Sequence, residues 1–176
     1  MLALTGDTLT EQSIGFCTTS DGVQLAYAVT GQGYPIVRVL GWGTHVEYDF
    51  QTPLWRPMLE ALAERFRLVR YDGRGTGLSD RGIKEHTLEK WAADLEAVIE
   101  AAGLDRFAIL GISQGGSAAI DYAVKHPERV SHLILYGSFA EPPMDMSDPE
   151  SRALFDSILT MTLASAGDRI TRRIAR

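Results

Sequence analysis

Apolar residues along this chain gather into short unbroken runs separated by longer stretches of helical spacing. Residues 13–18 and 23–29 are two β-type runs on either side of Thr19-Ser-Asp-Gly22. Asp-Gly at that point predicts a tight turn and hence an N-terminal antiparallel hairpin. Gly31 to Pro35 breaks the chain. Residues 36–40 then form a continuous apolar strand, interrupted by Arg38, of the kind that a parallel sheet buries on both faces. Residues 67–71, 107–110 and 130–136 repeat the strand pattern. Between them, residues 53–66 place Trp55, Met58, Leu59 and Leu62 at helical spacing, and residues 87–102 do so with Leu88, Trp91, Leu95, Val98 and Ile99. Thr87 is suited to cap the second of these helices and Gly103 to stop it. A third helix is compatible with residues 117–124. Hairpin, then strand and helix in alternation, predicts an α/β fold: a mostly parallel sheet with an N-terminal antiparallel hairpin and helices on both faces.

Composition narrows the class of protein. With 176 residues, 45% hydrophobic and 23% charged, the chain is expected to form one soluble domain with a substantial core. A formal charge of -6 and a pI near 5.2 argue against nucleic acid as a partner. Cys17 is the single cysteine, so neither an internal disulfide nor a cysteine metal site is expected, and no other metal-ligand cluster or cofactor motif stands out. Residues 1–7 have neither a basic start nor a long apolar run, which points to the cytoplasm and away from the membrane. After Gly137 the pattern changes to a proline-containing loop (141–149), a predicted helix (150–164) and a tail (168–176) with four arginines, which reads as a solvated helix face or a frayed end.

Chemistry concentrates where the strand at 107–110 meets the third helix. The turn there reads Gly111-Ile112-Ser113-Gln114-Gly115, a G-x-S-x-G pattern in a strand-to-helix context, which is that of a nucleophile elbow. So sharp a reversal forces the serine into an unfavourable backbone conformation and leaves no room for side chains at Gly111 and Gly115. It also lifts the Ser113 hydroxyl clear of the sheet and aims the Gln114 N–H at the same space, near the positive end of a helix. A serine alcohol still needs a base. Gly73-x-Gly75-x-Gly77 superficially suggests a dinucleotide loop but lacks the G-x-G-x-x-G spacing.

Together these pieces resemble the α/β-hydrolase fold superfamily along residues 13 to about 140. The resemblance is carried by the hairpin with Asp21-Gly22, the Gly41-Trp42-Gly43 loop, Asp72-x-Arg74-Gly75-x-Gly77-x-Ser79-Asp80, the elbow, and His126-Pro127-Glu128-Arg129-Val130. Residues 44–50 and 54–57 further resemble a bacterial branch that occurs alone or joined to LuxR-type or nucleotide-cyclase output modules. The resemblance implies a Ser-His-acid triad with a two-part oxyanion hole. Ser113 would be the nucleophile, Gln114 N–H one oxyanion donor, and Trp42 N–H the second, although Leu40-Gly41 stands where many relatives have His-Gly. It implies a small-molecule ester or acyl substrate, with residues 1–140 as the core and 141–176 as the start of a lid or a C-terminal helical tail. Asp72, Arg74 and Asp80 are expected to hydrogen-bond the loop beside the elbow.

The same family carries its acid after a seventh strand and its histidine after an eighth. One strand is legible among residues 114–176, so the chain reads as the core without its last two strands. His45 and His86 precede the serine, and His126 and His132 follow it too closely. His45 is expected on the site face, as a loop-packing residue or a contributor to the chemistry, and His132 as a structural residue of the last strand. Glu141 is either a solvated loop carboxylate or an acid placed after the sixth strand. Alternative readings are a ligand-binding or sensor module without turnover, and an interaction protein. An apolar last strand with a free edge invites pairing with a second copy unless the 150–164 helix covers it.

Overall fold

The computed structural model describes residues 11–41, 43–140, 148–154 and 157. Six strands, β1 (Gln12–Thr18), β2 (Gln24–Thr30), β3 (Tyr34–Leu40), β4 (Phe66–Tyr71), β5 (Phe107–Ile112) and β6 (Val130–Tyr136), form one sheet in the order β1-β2-β4-β3-β5-β6. β1 pairs antiparallel with β2 and β2 antiparallel with β4, whereas β4, β3, β5 and β6 run parallel. Three helices, α1 (Arg56–Ala63), α2 (Leu88–Ala101) and α3 (Gly115–Lys125), connect the parallel strands. This is the expected α/β architecture with its N-terminal hairpin.

The two faces are covered differently. Val37, Val39, Val69, Tyr71, Phe107 and Ile109 point to one side and pack with Leu95, Val98 and Ile99 of α2 and Ala118, Ala119 and Tyr122 of α3. Their alternates Ile36, Leu40, Leu68, Ala108, Leu110 and Ile112 point to the other and meet Phe50 with Leu59 and Ala63 of α1. Strands apolar on both faces therefore read as continuous runs, and each fully buried Leu or Ile contributes about 1.5–3 kcal/mol relative to exposure. α2 starts where its cap predicts, with the Thr87 side chain accepting from the Lys90 N–H.

The first helix departs from expectation. A turn of 3₁₀ helix at Asp49–Gln51 precedes it, and residues 52–55 are used in its entry, where Thr52 accepts from the Arg56 N–H through its carbonyl and from the Trp55 N–H through its hydroxyl. Its far end is shortened because Phe66 opens β4 opposite Tyr34. The last strand has its expected bounds. β6 contains no charged residue and no proline, yet Leu133, Ile134, Leu135 and Tyr136 are 38%, 46%, 46% and 71% exposed. His132 is exposed as well, since among the described residues β6 has a neighbouring strand, β5, on one side only. Of the helix expected at 150–164, residues 149–154 and 157 are helical; its remainder, Glu141 and the arginine tail lie outside the described residues.

Candidate active site

β5 is buried throughout its length and ends at Ile112, while α3 begins at Gly115, so two residues make the reversal. Ser113 takes φ 51, the one positive φ of a non-glycine residue among the described residues. That conformation costs about 1–3 kcal/mol and persists where surrounding contacts over-determine it. The contacts are on hand: the Ser113 N–H donates to the Tyr136 carbonyl at 3.1 Å, and the Ser113 carbonyl accepts from the Gly116 N–H at 3.1 Å.

The glycines let the turn close. A Cβ on Gly111 would stand 2.8 Å from the Gly116 Cα, and one on Gly115 would stand 2.5 Å from the Val39 carbonyl carbon. The crowding at Gly115 therefore comes from β3 and not from Gly111. Gly116, which the sequence reading passed over, would collide with Ser138.

Ser113 is left exposed and Gln114 half-buried. No donor, imidazole or carboxylate among the described residues lies within hydrogen-bonding distance of the Ser113 hydroxyl, and the Gln114 N–H, ahead of the first turn of α3, finds no acceptor there either. Unpaired amides at a helix N-terminus are where negative charge is best accommodated. Trp42 lies outside the described residues. Its neighbours are placed: Gly41 is half-buried against the Gln114 side chain, and Gly43 has φ 74.

The loop after β3 is fastened from below. Asp72 accepts from the Val46 N–H at 3.0 Å through one oxygen and from the Leu78 N–H at 2.9 Å through the other, and Thr44 lies 3.2 Å from Thr76, hydroxyl to hydroxyl. Burial raises the Asp72 carboxyl above its ordinary value, against the lowering effect of the Leu78 amide and Thr44. Asp72 thus ties the loop as expected. Arg74 and Asp80 do something else: Arg74 bridges Asp94 of α2 (2.6 Å) and Asp21 (3.0 Å), and Asp80 accepts from the Gln24 N–H at 2.8 Å, so both secure the hairpin turn.

His45 is buried, packs on Tyr48 with ring centroids 4.2 Å apart, and donates its backbone N–H to Asp49 at 3.3 Å. Its Nδ1 is buried without a hydrogen-bond partner.

Sequence reading missed an ionic cluster on the α1 face. Arg38 and Arg70 are register partners on β3 and β4, 1% and 0% exposed, and share Asp49 at 2.5 and 3.3 Å. Arg70 also donates to Gln12 and to the Val46 carbonyl. The two guanidinium groups lie over Trp55 and Phe50, 5.1 and 4.7 Å from the ring centroids. Burial, followed by the neighbouring Arg38 charge, lowers the Arg70 pKa to about 10. Arginines in two adjacent strands, both set for the same face by alternation, were the available signal.

A βαβ sheet whose strand-to-helix turn holds an exposed left-handed serine beside a free helix-entry amide is the framework of a hydrolase. The family model described as alpha/beta hydrolase fold matches residues 34–160, and the chain belongs to that family. It is 35% identical over 108 residues to the protein named "Putative carbamate hydrolase RutD" of Caulobacter sp. (strain K31), covering 61% of this chain and 38% of that protein. Among solved structures, esterase RhEst1 from Rhodococcus sp. ECU1013 is 32% identical with a TM-score of 0.62, covering 72% of this chain and 46% of that one. A hydrolase from Pseudomonas aeruginosa PA01 is 28% identical with a TM-score of 0.67, covering 87% and 57%. The chain therefore spans well under two thirds of the length of these relatives. Among the described residues, no helix is long and apolar enough to cross a membrane.

Proposed function

We propose that Ser113 is the nucleophile of a cytoplasmic serine hydrolase of esterase or acyl-transfer type, acting on a small-molecule ester or related acyl compound. Its hydroxyl oxygen attacks the acyl carbon, and the Gln114 N–H stabilises the oxyanion together with a second amide from the 41–43 loop, that of Trp42. The observation that carries the reading is the exposed serine at φ 51 on the β5–α3 hinge, a strain with no packing use and an evident chemical one. Likeness to an esterase and to a protein named for carbamate hydrolysis supports attack at an acyl carbon bonded to oxygen or nitrogen.

The proton relay is incomplete in this reading. No imidazole or carboxylate among the described residues hydrogen-bonds Ser113, so in this reading the base and acid come from outside the described residues. An oxyanion hole and substrate binding alone can retain roughly 10³-fold over water. The chain is thus expected to hydrolyse p-nitrophenyl acetate slowly, with imidazole raising the rate above its own protein-free background in the native chain but not in Ser113→Ala. Equal rates for the two proteins, with and without imidazole, would refute the assignment.

The edge of β6, which no strand of the described residues covers, favours pairing with a further chain as a secondary property, and a second copy is the simplest partner. With roughly 200 Å² per large side chain, the four exposed residues offer about 400 Å² per copy. About 800 Å² in total falls below the 1,200–2,000 Å² of stable interfaces, so such self-association would be weak.

A further inference from the structure

Gly41 is held on two sides by the groups that make the site. Against its Cα lies the Gln114 side chain: a Cβ on Gly41 would stand 2.5 Å from Gln114 Oε1, 3.0 Å from its Cδ and 3.1 Å from its Cβ. Against its carbonyl lies the β4 loop, where a Cβ on Gly73 would stand 2.8 Å from Gly41 O. One residue further along the elbow, Gly115 abuts the Val39 carbonyl and the Leu40 N–H, so the chain at 39–41 is held at both ends, at the 39–40 peptide and at Gly41. Gly43, by contrast, has φ 74, and no atom of the described residues lies within 4 Å of where its Cβ would stand.

We propose that the Gln114 side chain is a positioning residue: it wedges against Gly41 and sets the distance between the nucleophile elbow and the loop after β3. Residue 114 then has two separable roles. Its main-chain N–H serves the reacting space, and its side chain, which lies against Gly41 where both line a small pocket with Gly73, Trp91 and Ala118, fixes where Gly41 stands relative to that N–H. Two oxyanion donors stabilise one oxygen when their spacing is right, and a misplacement of about 1 Å can cost on the order of 100-fold. The size of the side chain at position 114 is therefore a control on that spacing which the G-x-S-x-G pattern leaves unspecified.

The proposal rests on reading Ser113 as the nucleophile, and its test separates the two. The rate of Ser113 phosphonylation by a fluorophosphonate, resolved into a binding constant KI and a covalent rate constant kinact, is measured for the native chain, Gly41→Ala, Gln114→Ala and the double variant. All retain the residue-114 N–H. Gly41→Ala should lower kinact about tenfold or more with a smaller change in KI. Adding Gln114→Ala removes Oε1 and Cδ from the clash and should recover at least about threefold of that loss. Losses in kinact that simply multiply, with no rescue, would overturn the wedge. If the native chain does not react at all, the assignment of Ser113 fails and the wedge is read from thermal unfolding of the same four proteins. There, Gln114→Ala should raise the melting temperature of Gly41→Ala while lowering or leaving that of the native chain, and additive shifts would overturn it.

Discussion

Removing the charge of Asp49 tests how the sheet tolerates two buried arginines. Its carboxylate lies 2.5 Å from Arg38 and 3.3 Å from Arg70, and the three side chains are 5%, 1% and 0% exposed. Arg38 Nε and Nη1 and Arg70 Nε have no partner, so Asp49 is the central counter-charge and not one of many. Asp49→Asn keeps the volume and one acceptor oxygen and removes the charge, leaving both cations in a medium where water cannot reach them. Breaking a buried ion pair from one side costs about 3–5 kcal/mol, against a total stability of about 5–15 kcal/mol for a domain. At roughly 2–4 °C per kcal/mol for a chain of this length, the melting temperature should fall by about 6–20 °C. Urea unfolding should show a lower midpoint with an unchanged slope, and salt should rescue little because the site is inaccessible to ions. Adding Arg38→Met to Asp49→Asn should recover part of the loss. A melting temperature lowered by less than about 2 °C would mean that the arginines are compensated elsewhere, and the cluster would not be the ionic keystone described.

Two further outcomes follow from other parts of the fold. Asp21 accepts hydrogen bonds from Arg74 and Lys90, which hold its carboxyl well below the usual carboxylate range; a depressed folded-state pKa means a stabilisation present above the unfolded value of about 3.9 and lost as pH falls below it. The difference in melting temperature between the native chain and Asp21→Asn should accordingly be constant above about pH 5 and shrink as pH is lowered from about 4 towards 2; a gap that widens in acid would contradict this. For the β6 edge, Ile134→Lys should reduce concentration-dependent light scattering without lowering the melting temperature, since residue 134 is 46% exposed, and scattering unchanged by the substitution would place self-association elsewhere.

Much of this fold was legible because its strands are apolar on both faces and its helices on one. A run as short as 107–110 between Gly103 and Gly111 is decided for a strand by its length and flanks, and the spacing of Leu95, Val98 and Ile99 over a longer stretch is decided for a helix by its period. The strained serine was also legible, since a G-x-S-x-G turn between strand and helix leaves that position little choice of backbone. What escaped were interactions set by tertiary register. Arg38 and Arg70 become neighbours because β3 and β4 pair at those positions, which no local pattern encodes. The role of Gly116, crowded by Ser138 from the end of β6, and that of Arg74, tied to Asp21 and Asp94, have the same origin. His132 lies in the last strand as expected, and its exposure was not legible because it depends on which strands flank β6; among the described residues that is β5 alone.

Reaction of the native chain with a fluorophosphonate, followed by mass mapping of the modified peptide, bears most directly on the claim that the β5–α3 hinge presents a reactive alcohol to unpaired amides. The expected result is a single phosphonyl adduct on Ser113, slow to form, absent in Ser113→Ala, and accelerated by imidazole. A correctly folded chain that stays unmodified under prolonged exposure with imidazole present, or one modified at a different serine, would contradict it.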